Sequence, residues 1–299
     1  MCGIAGGVGR TSVADVRRMC EVMRYRGPDH SDVRQFGPAV LGMVRLAIID
    51  VAGGSQPISN ETGDVWTVFN GEIYNYEDLR RELRERGHVF KTNSDTETIV
   101  HAYEEYGDAF PEHLRGMFAI AVWDVKRQRL LLARDRLGEK PLFYHVSSSG
   151  VTFASEIKCL LTASGNRAVD RESAATFLAL GYIPAPATAF SGIRKLCPGE
   201  VAIYESGQLL LHRYWSLLPR QSIEADYDDA VEQLDAELKE AIRYCLKSDV
   251  EVAAFLSGGV DSSLISALMQ QGGTRVRTYS IGFDASASGF SELGYAEQV

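Results

Sequence analysis

Apolar positions in the first two hundred residues fall mostly in short, β-rich runs at 39–49, 65–69, 118–123, 129–133, 142–145 and 151–153. Runs of this length between turn residues read as strands. The stretch from Asp124 to Gln128 separates two of them and fits a hairpin loop. Two segments switch to a helical period. In 76–86, Leu79 and Leu83 stand four apart and Gly87 follows; in 95–106, acids fill the first turn and Gly107 marks the stop. Strand groups interleaved with paired helices predict an α+β unit of stacked antiparallel sheets covered by helices.

The pattern changes after residue 216. Residues 217–225 contain Pro219, carry no periodicity and read as a linker. Residues 226–247 then keep Ala230, Leu234, Leu238, Ala241, Ile242 and Cys245 on one helical face, with acids at the start and Arg243 and Lys247 near the end, as the helix dipole favours. An apolar strand (250–256), a Gly/Ser turn, a helix (262–271) and a further strand (276–282) make a βαβ unit, the beginning of a parallel α/β sheet. Two units are expected, 2–216 and 226–299. The second holds about two strands, short of an independent sheet, and the chain reads as the front part of a longer protein.

Composition narrows the classes. The 299 residues are 45% hydrophobic and 24% charged, with a net charge of -9. An acidic balance argues against general binding to nucleic acid or to an anionic membrane. No run reaches the roughly 18 apolar residues of a spanning helix, and no basic cluster leads into an apolar leader. A cytoplasmic location is the expectation, with neither nucleic acid nor membrane as partner. The five cysteines are scattered without a C-x-x-C pair, so Cys20, Cys159, Cys197 and Cys245 read as buried small apolar residues. The six histidines show no metal-ligand spacing and read as surface or packing residues, and Met19 and Met23 read as core.

Cys2 differs through its position. Removal of Met1 from before a small residue would leave a thiol and a free α-amine on one residue, with ordinary pKa values of roughly 8.5 and 8. Nucleophile and base then coincide, which suits attack on a carboxamide, loss of ammonia and hydrolysis of a thioester. An incidental terminal cysteine is the bland alternative. Arg26-Gly27-Pro28-Asp29, Arg45-Leu46-Ala47-Ile48-Ile49-Asp50, Asn70-Gly71-Glu72-Ile73-Tyr74-Asn75 and Ser94-Asp95 weigh against it, although singly they read as turns or a surface ion pair. Asn70 and the Gly71 N–H are apt oxyanion donors, and Arg45 is an apt fork for a carboxylate. Glu72 and Asp95 can hold an ammonium.

With Ala133-Arg134-Asp135-Arg136-Leu137-Gly138 and Ala154-Ser155-Glu156-Ile157-Lys158, these segments resemble the class II, N-terminal-nucleophile glutamine amidotransferases, the asparagine synthetase branch in particular. The resemblance implies an Ntn-hydrolase αββα sandwich followed by the start of an ATP pyrophosphatase domain. It implies Cys2 as nucleophile, Asn70 and Gly71 as the oxyanion hole, and Arg45, Glu72 and Asp95 as glutamine clamps.

Ser257-Gly258-Gly259-Val260-Asp261-Ser262-Ser263 lies between an apolar strand and a helix, where backbone N–H groups and the helix end favour an anion. It lacks the Gly-Lys-Ser/Thr ending of a Walker loop and resembles the pyrophosphate loop of ATP pyrophosphatases. That resemblance implies ATP contacts from Leu256, Ser257, Gly258, Gly259, Asp261, Ser262 and Ile281, with Asp261 a candidate Mg²⁺ ligand and no prosthetic group. Implied partners are glutamine, ATP, and aspartate or another carboxylate acceptor, and a homodimer stays open. The expected function is glutamine-dependent asparagine synthesis, with this chain alone hydrolysing glutamine. Alternatives are amidation of a different carboxylate, a glutaminase feeding a separate partner, and a glutamine-sensing binding module.

Overall fold

A computed structural model of the chain describes residues 2–165, 167–218, 226–273, 275–283 and 291–299. It divides into two compact units, Met1–Leu218 and Pro219–Val299. Most of the expected linker, 219–225, lies outside the described residues.

In the first unit, β1 (Gly3–Gly9), β2 (His30–Phe36), β3 (Ala39–Arg45), β8 (Phe143–Ser147), β9 (Gly150–Ala154) and β10 (Ile193–Lys195) form one six-stranded sheet in the order β10-β8-β9-β1-β3-β2. A second contains β4 (Ile58–Ser59), β5 (Val65–Ile73), β6 (Gly116–Asp124), β7 (Arg129–Arg134), β11 (Glu200–Glu205) and β12 (Gln208–Arg213), ordered β12-β11-β7-β6-β5-β4. All their pairings are antiparallel. Helices α1 (Val13–Val22), α2 (Tyr76–Glu85), α3 (Asp95–Tyr106), α4 (Ile157–Ser164) and α5 (Arg171–Leu180) complete the unit.

Three apolar clusters define four layers. Ile4, Leu41 and Met43 from the first sheet meet Val68, Ala121, Trp123 and Leu132 from the second. Val16, Met19 and Cys20 of α1 and Leu160 of α4 pack on the other face of the first sheet, with Ala5, Val40 and Val44. Leu79, Leu83, Ile99 and Tyr103 of α2 and α3 cover the second sheet's far face against Phe69, Phe118 and Ile120. Each strand face that points away from water thus finds an apolar partner, and the result is an αββα sandwich.

Two of the predicted runs end at other residues, at positions that matter for the site. The run 39–49 stays a strand only to Arg45, whose guanidinium donates to the carbonyls of Ile49 (2.9 Å), Asp50 (2.8 Å) and Val51 (3.1 Å) and turns the chain back. The run 65–69 continues to Ile73, which places Asn70-Gly71-Glu72 inside a strand rather than in a turn. Among the cysteines, Cys20 and Cys159 are buried as expected, while Cys197 is half-buried and Cys245 is exposed in the last turn of a helix with no buried residue.

The second unit contains α6 (Tyr227–Cys245), β13 (Ala253–Phe255), α7 (Val260–Gln271), β14 (Arg277–Tyr279) and α8 (Leu293–Ala296). β13 and β14 pair in parallel, as a βαβ crossover requires. No helix among the described residues is long and apolar enough to cross a membrane.

Candidate active site

Cys2 immediately precedes β1, half-buried, and its thiol lies against the backbone of Leu46. Sγ donates to the Leu46 carbonyl at 3.4 Å and accepts the Leu46 N–H at 3.3 Å. Burial raises the thiol pKa above its ordinary value, against the opposing pull of the Leu46 hydrogen bond and the Arg45 charge. The backbone around it is pinned from two sides. Arg26 Nε donates to the Cys2 carbonyl at 2.9 Å while its Nη1 binds Glu156 at 2.9 Å. Ser155 brackets Ile4, accepting its N–H at Oγ and donating its own N–H to the Ile4 carbonyl, both at 2.9 Å. Met1 lies outside the described residues.

β5 supplies the next group. Pairs in an antiparallel ladder alternate between those that exchange hydrogen bonds and those that do not. Phe118, opposite Gly71, gives both backbone groups to Asp135, donating its N–H to the carboxylate at 3.2 Å and accepting the Asp135 N–H at 2.9 Å. The Gly71 N–H therefore points away from β6. Its neighbours of the same parity do likewise: Phe69 donates to Gln56 Oε1 at 2.7 Å and Ile73 to Asp95 Oδ2 at 3.0 Å. A side chain is excluded at Gly71, where a Cβ would lie 2.0 Å from the Met117 carbonyl oxygen. Asn70 is buried, and its Nδ2 has no hydrogen-bond partner among the described residues.

Two carboxylates share this edge. Asp95 opens α3 beneath its N-cap Ser94. Burial pushes the Asp95 carboxyl up to about 6, against hydrogen bonds from Ile73, Thr96 and Ser94. Burial and the nearby Asp95 push Glu72 up to about 8, with Lys140 and Arg45 opposing. Cys2, Arg45, Gly71, Glu72 and Asp95 line one cleft with Leu46, Ile48, Gln56, Phe69 and Ser94. Asn70 is not on its lining, and its amide sits one residue behind Gly71 in the same strand. Three of the five Arg45 N–H groups go to the 49–51 carbonyls, so the guanidinium shapes that loop as well as facing the cleft. A larger hollow near Val8, Arg10 and His145 contains none of the predicted residues.

Sequence reading passed over three participants. Arg26 reads as part of a turn, Glu156 as part of a motif without a role, and Gln56 has no local signature. Gln56 joins β5 to α3, accepting from Phe69 and donating to Thr96 Oγ1 at 3.2 Å. The Arg134-Asp135 segment is structural: Arg134 donates to the carbonyls of Gly138, Lys140 and Leu196, and Asp135 caps the turn through the N–H groups of Glu139 and Lys140.

In the second unit the Ser257–Ser263 segment forms the expected strand-to-helix turn. Gly258 takes φ +80, and a Cβ there would meet the Tyr295 backbone at 2.4 Å. Ser257 Oγ and Ser262 Oγ lie 3.0 Å apart, and Ser257 Oγ accepts the Gly259 N–H at 3.3 Å. Ser263 Oγ is buried with no partner among the described residues. Leu256 donates to the Tyr279 carbonyl at 2.9 Å and Ile281 lies exposed just beyond β14. Asp261 is exposed in the first turn of α7 and joins no group of three metal-ligating side chains among the described residues.

Two facing antiparallel sheets between helix layers, with a thiol leading into a central strand, define the class: an N-terminal-nucleophile hydrolase fold. The sequence profile of the glutamine amidotransferase domain family matches residues 1–215, and the chain belongs to that family. The asparagine synthase profile matches residues 233–299. Asparagine synthetase [glutamine-hydrolyzing] 3 of Bacillus subtilis is 40% identical over 99% of this chain and 50% of its own length. Asparagine synthetase [glutamine-hydrolyzing] 1 of the same organism is 34% identical over 100% and 48%. The chain thus spans about half the length of the curated relatives it matches. The glutamine phosphoribosylpyrophosphate amidotransferase of B. subtilis, complexed with ADP and GMP, superimposes over 100% of this chain and 70% of its own with a TM-score of 0.53. At 18% identity that likeness concerns the fold alone.

Proposed function

We propose that the first unit hydrolyses glutamine to glutamate and ammonia at Cys2. The observation that carries the reading is the buried Asn70 Nδ2, without a partner among the described residues, beside a Gly71 N–H directed to the edge that bears the carboxylates and the thiol cleft. Preorganised donors of this kind stabilise charge that develops only in the transition state. With Met1 removed, the α-amine takes the Cys2 proton, and the thiolate adds to the carboxamide carbon. The carbonyl oxygen becomes an oxyanion facing Asn70 Nδ2 and the Gly71 N–H. Collapse expels ammonia, which takes its proton from the α-ammonium, and leaves a thioester. Water activated by the amine then releases glutamate and regenerates the thiol. Arg45 holds the substrate α-carboxylate, and Glu72 with Asp95 holds the α-ammonium.

The second unit, by its Ser-Gly-Gly turn, contributes a pyrophosphate-binding element for ATP. In the whole protein this reading assigns glutamine-dependent asparagine synthesis, with ammonia amidating an aspartyl adenylate. The test uses the purified chain, with loss of Met1 checked by mass spectrometry. Glutamate release from glutamine is compared with that of Cys2→Ala, and a parallel sample receives ATP, Mg²⁺ and aspartate. Release that depends on Cys2 supports the reading. A folded, Met1-free chain that releases none overturns it.

A further inference from the structure

Around α3, apart from the cleft residues, four potential metal ligands converge. Glu61 stands in the turn between β4 and β5, His88 follows α2, and His101 and Glu104 lie one turn apart on α3. Ligand atoms of all four lie within 4.8 Å of one another. No spacing in the sequence announces the group, because its members come from three separate elements.

His101 supplies the independent sign that something is meant to sit here. Its side chain is fully buried, and neither ring nitrogen has a hydrogen-bond partner among the described residues; nor has the buried Oε2 of Glu61. They lie at ion-pair distances without hydrogen-bond alignment, so the imidazole sits among carboxylates rather than being bonded to one of them. These atoms face one another. His101 Nδ1 lies 3.2 Å from Glu61 Oε2 and 3.4 Å from Glu104 Oε2, and His88 Nδ1 lies 3.5 Å and 3.8 Å from Glu61 Oε1 and Glu104 Oε2. A tetrahedral ion with bonds of about 2.0–2.1 Å holds its donors about 3.3–3.4 Å apart. The contacts of His101 Nδ1 with Glu61 and Glu104 already match that spacing, and the wider pairs, up to 4.8 Å, would close by small side-chain shifts on binding.

The surroundings orient the donors as an outer shell does. Asn60 Nδ2 donates to Glu104 Oε1 at 2.6 Å, and the Val89 N–H donates to Glu61 Oε1 at 3.3 Å. The far nitrogen of each imidazole faces a carboxylate outside the group: Glu97 lies 3.7 Å from His101 Nε2, and Glu105 lies 3.7 Å from His88 Nε2. Each ring thereby turns Nδ1 inward. The nearby cations are engaged elsewhere: Lys91 Nζ donates to the Asn60 and Glu61 carbonyls, and Arg86 pairs with Glu82 and Glu105. Glu61 and Glu104 are partly exposed, which gives an ion a way in.

We propose that Glu61, His88, His101 and Glu104 form a structural site for a borderline divalent transition ion, zinc in the first place. Two imidazoles and two carboxylates suit that ion better than magnesium or calcium, which prefer all-oxygen shells. Bound there, it ties the β4–β5 turn and the segment after α2 to α3. β5 carries Asn70 and Gly71 and α3 carries Asp95, so the ion would brace both elements from behind. The inference does not depend on the glutaminase reading, and failure of either leaves the other standing.

The experiment uses the full chain stripped of metal by a chelator, titrated with Co²⁺ as the optical probe and Zn²⁺ as competitor. Thermal unfolding is followed with and without zinc. His101 is too buried to replace safely, so the variants are His88→Gln and Glu104→Gln. The expected result is one Co²⁺ per chain, with a four-coordinate spectrum free of thiolate charge transfer and displaced by zinc. Zinc should raise Tm, and each variant should weaken binding at least tenfold and lose the Tm rise. No stoichiometric binding, a thiolate band, or binding retained in both variants would overturn the proposal.

Discussion

Asn70 Nδ2 is buried with no hydrogen-bond partner among the described residues, so this donor is available to a ligand oxygen. Replacing Asn70 with Ala removes the donor and should lower kcat for glutamate release by roughly 10²–10³ with little change in KM. Steady-state kinetics decides it, and an unchanged kcat would sink the oxyanion role. Glu72 and Asp95 make a second prediction. With pKa values near 8 and 6 in the unliganded protein, Glu72 is largely protonated at pH 7. An arriving α-ammonium favours the carboxylate, so binding should release roughly one proton at pH 7 and tighten as pH rises towards 8. Calorimetry of Cys2→Ser with glutamine in two buffers of different ionisation enthalpy measures that proton, and Glu72→Gln should abolish it. The stability sign runs the other way. The raised pKa of Glu72 makes a contribution that is full below its ordinary 4.5 and is lost as pH climbs through about 8.

The elements show where sequence patterning suffices and where it does not. α3 runs from Asp95 to Tyr106 as the sequence predicts, because Ser94 caps its start and Gly107 ends it with φ +57. β1 is invisible to the same reasoning, since four of its seven residues are glycine, a poor strand former. Packing explains it: a Cβ on Gly6 would lie 2.4 Å from the Val40 carbonyl oxygen and 2.7 Å from the Phe153 ring. The proposed clamps Arg45, Glu72 and Asp95 are legible in the sequence as residue types. The Arg26–Glu156 pair that holds the Cys2 carbonyl was not, because it joins positions 130 apart. Gly6→Ala tests the packing argument. It should destabilise the first unit by about 1–3 kcal/mol, read from the urea midpoint, and a loss below about 0.5 kcal/mol would show that β1 tolerates a side chain there.

At the scale of the whole molecule, the two units are unequal in self-sufficiency. The three apolar clusters use residues from Ile4 to Ile203, all in the first unit. The hydrogen-bond partners of Cys2, Arg45 and Asp95 also lie there. The second unit buries Leu256, Leu268 and Met269 as its apolar core among the described residues, around a two-stranded sheet whose Phe255 and Tyr279 are exposed. A sheet that small with so little apolar burial does not outweigh the entropy of ordering the chain. Residues 2–218 made alone should therefore unfold in one cooperative transition and keep glutamate release within about threefold of the full chain, whereas 219–299 alone should show no cooperative transition. Denaturant unfolding with glutaminase assays on both fragments tests this. Loss of activity in a cooperatively folded 2–218 fragment would mean that the site borrows its working geometry from the second unit. The hydrogen bonds that set Cys2, Arg45 and Asp95 then could not be the whole of what positions them.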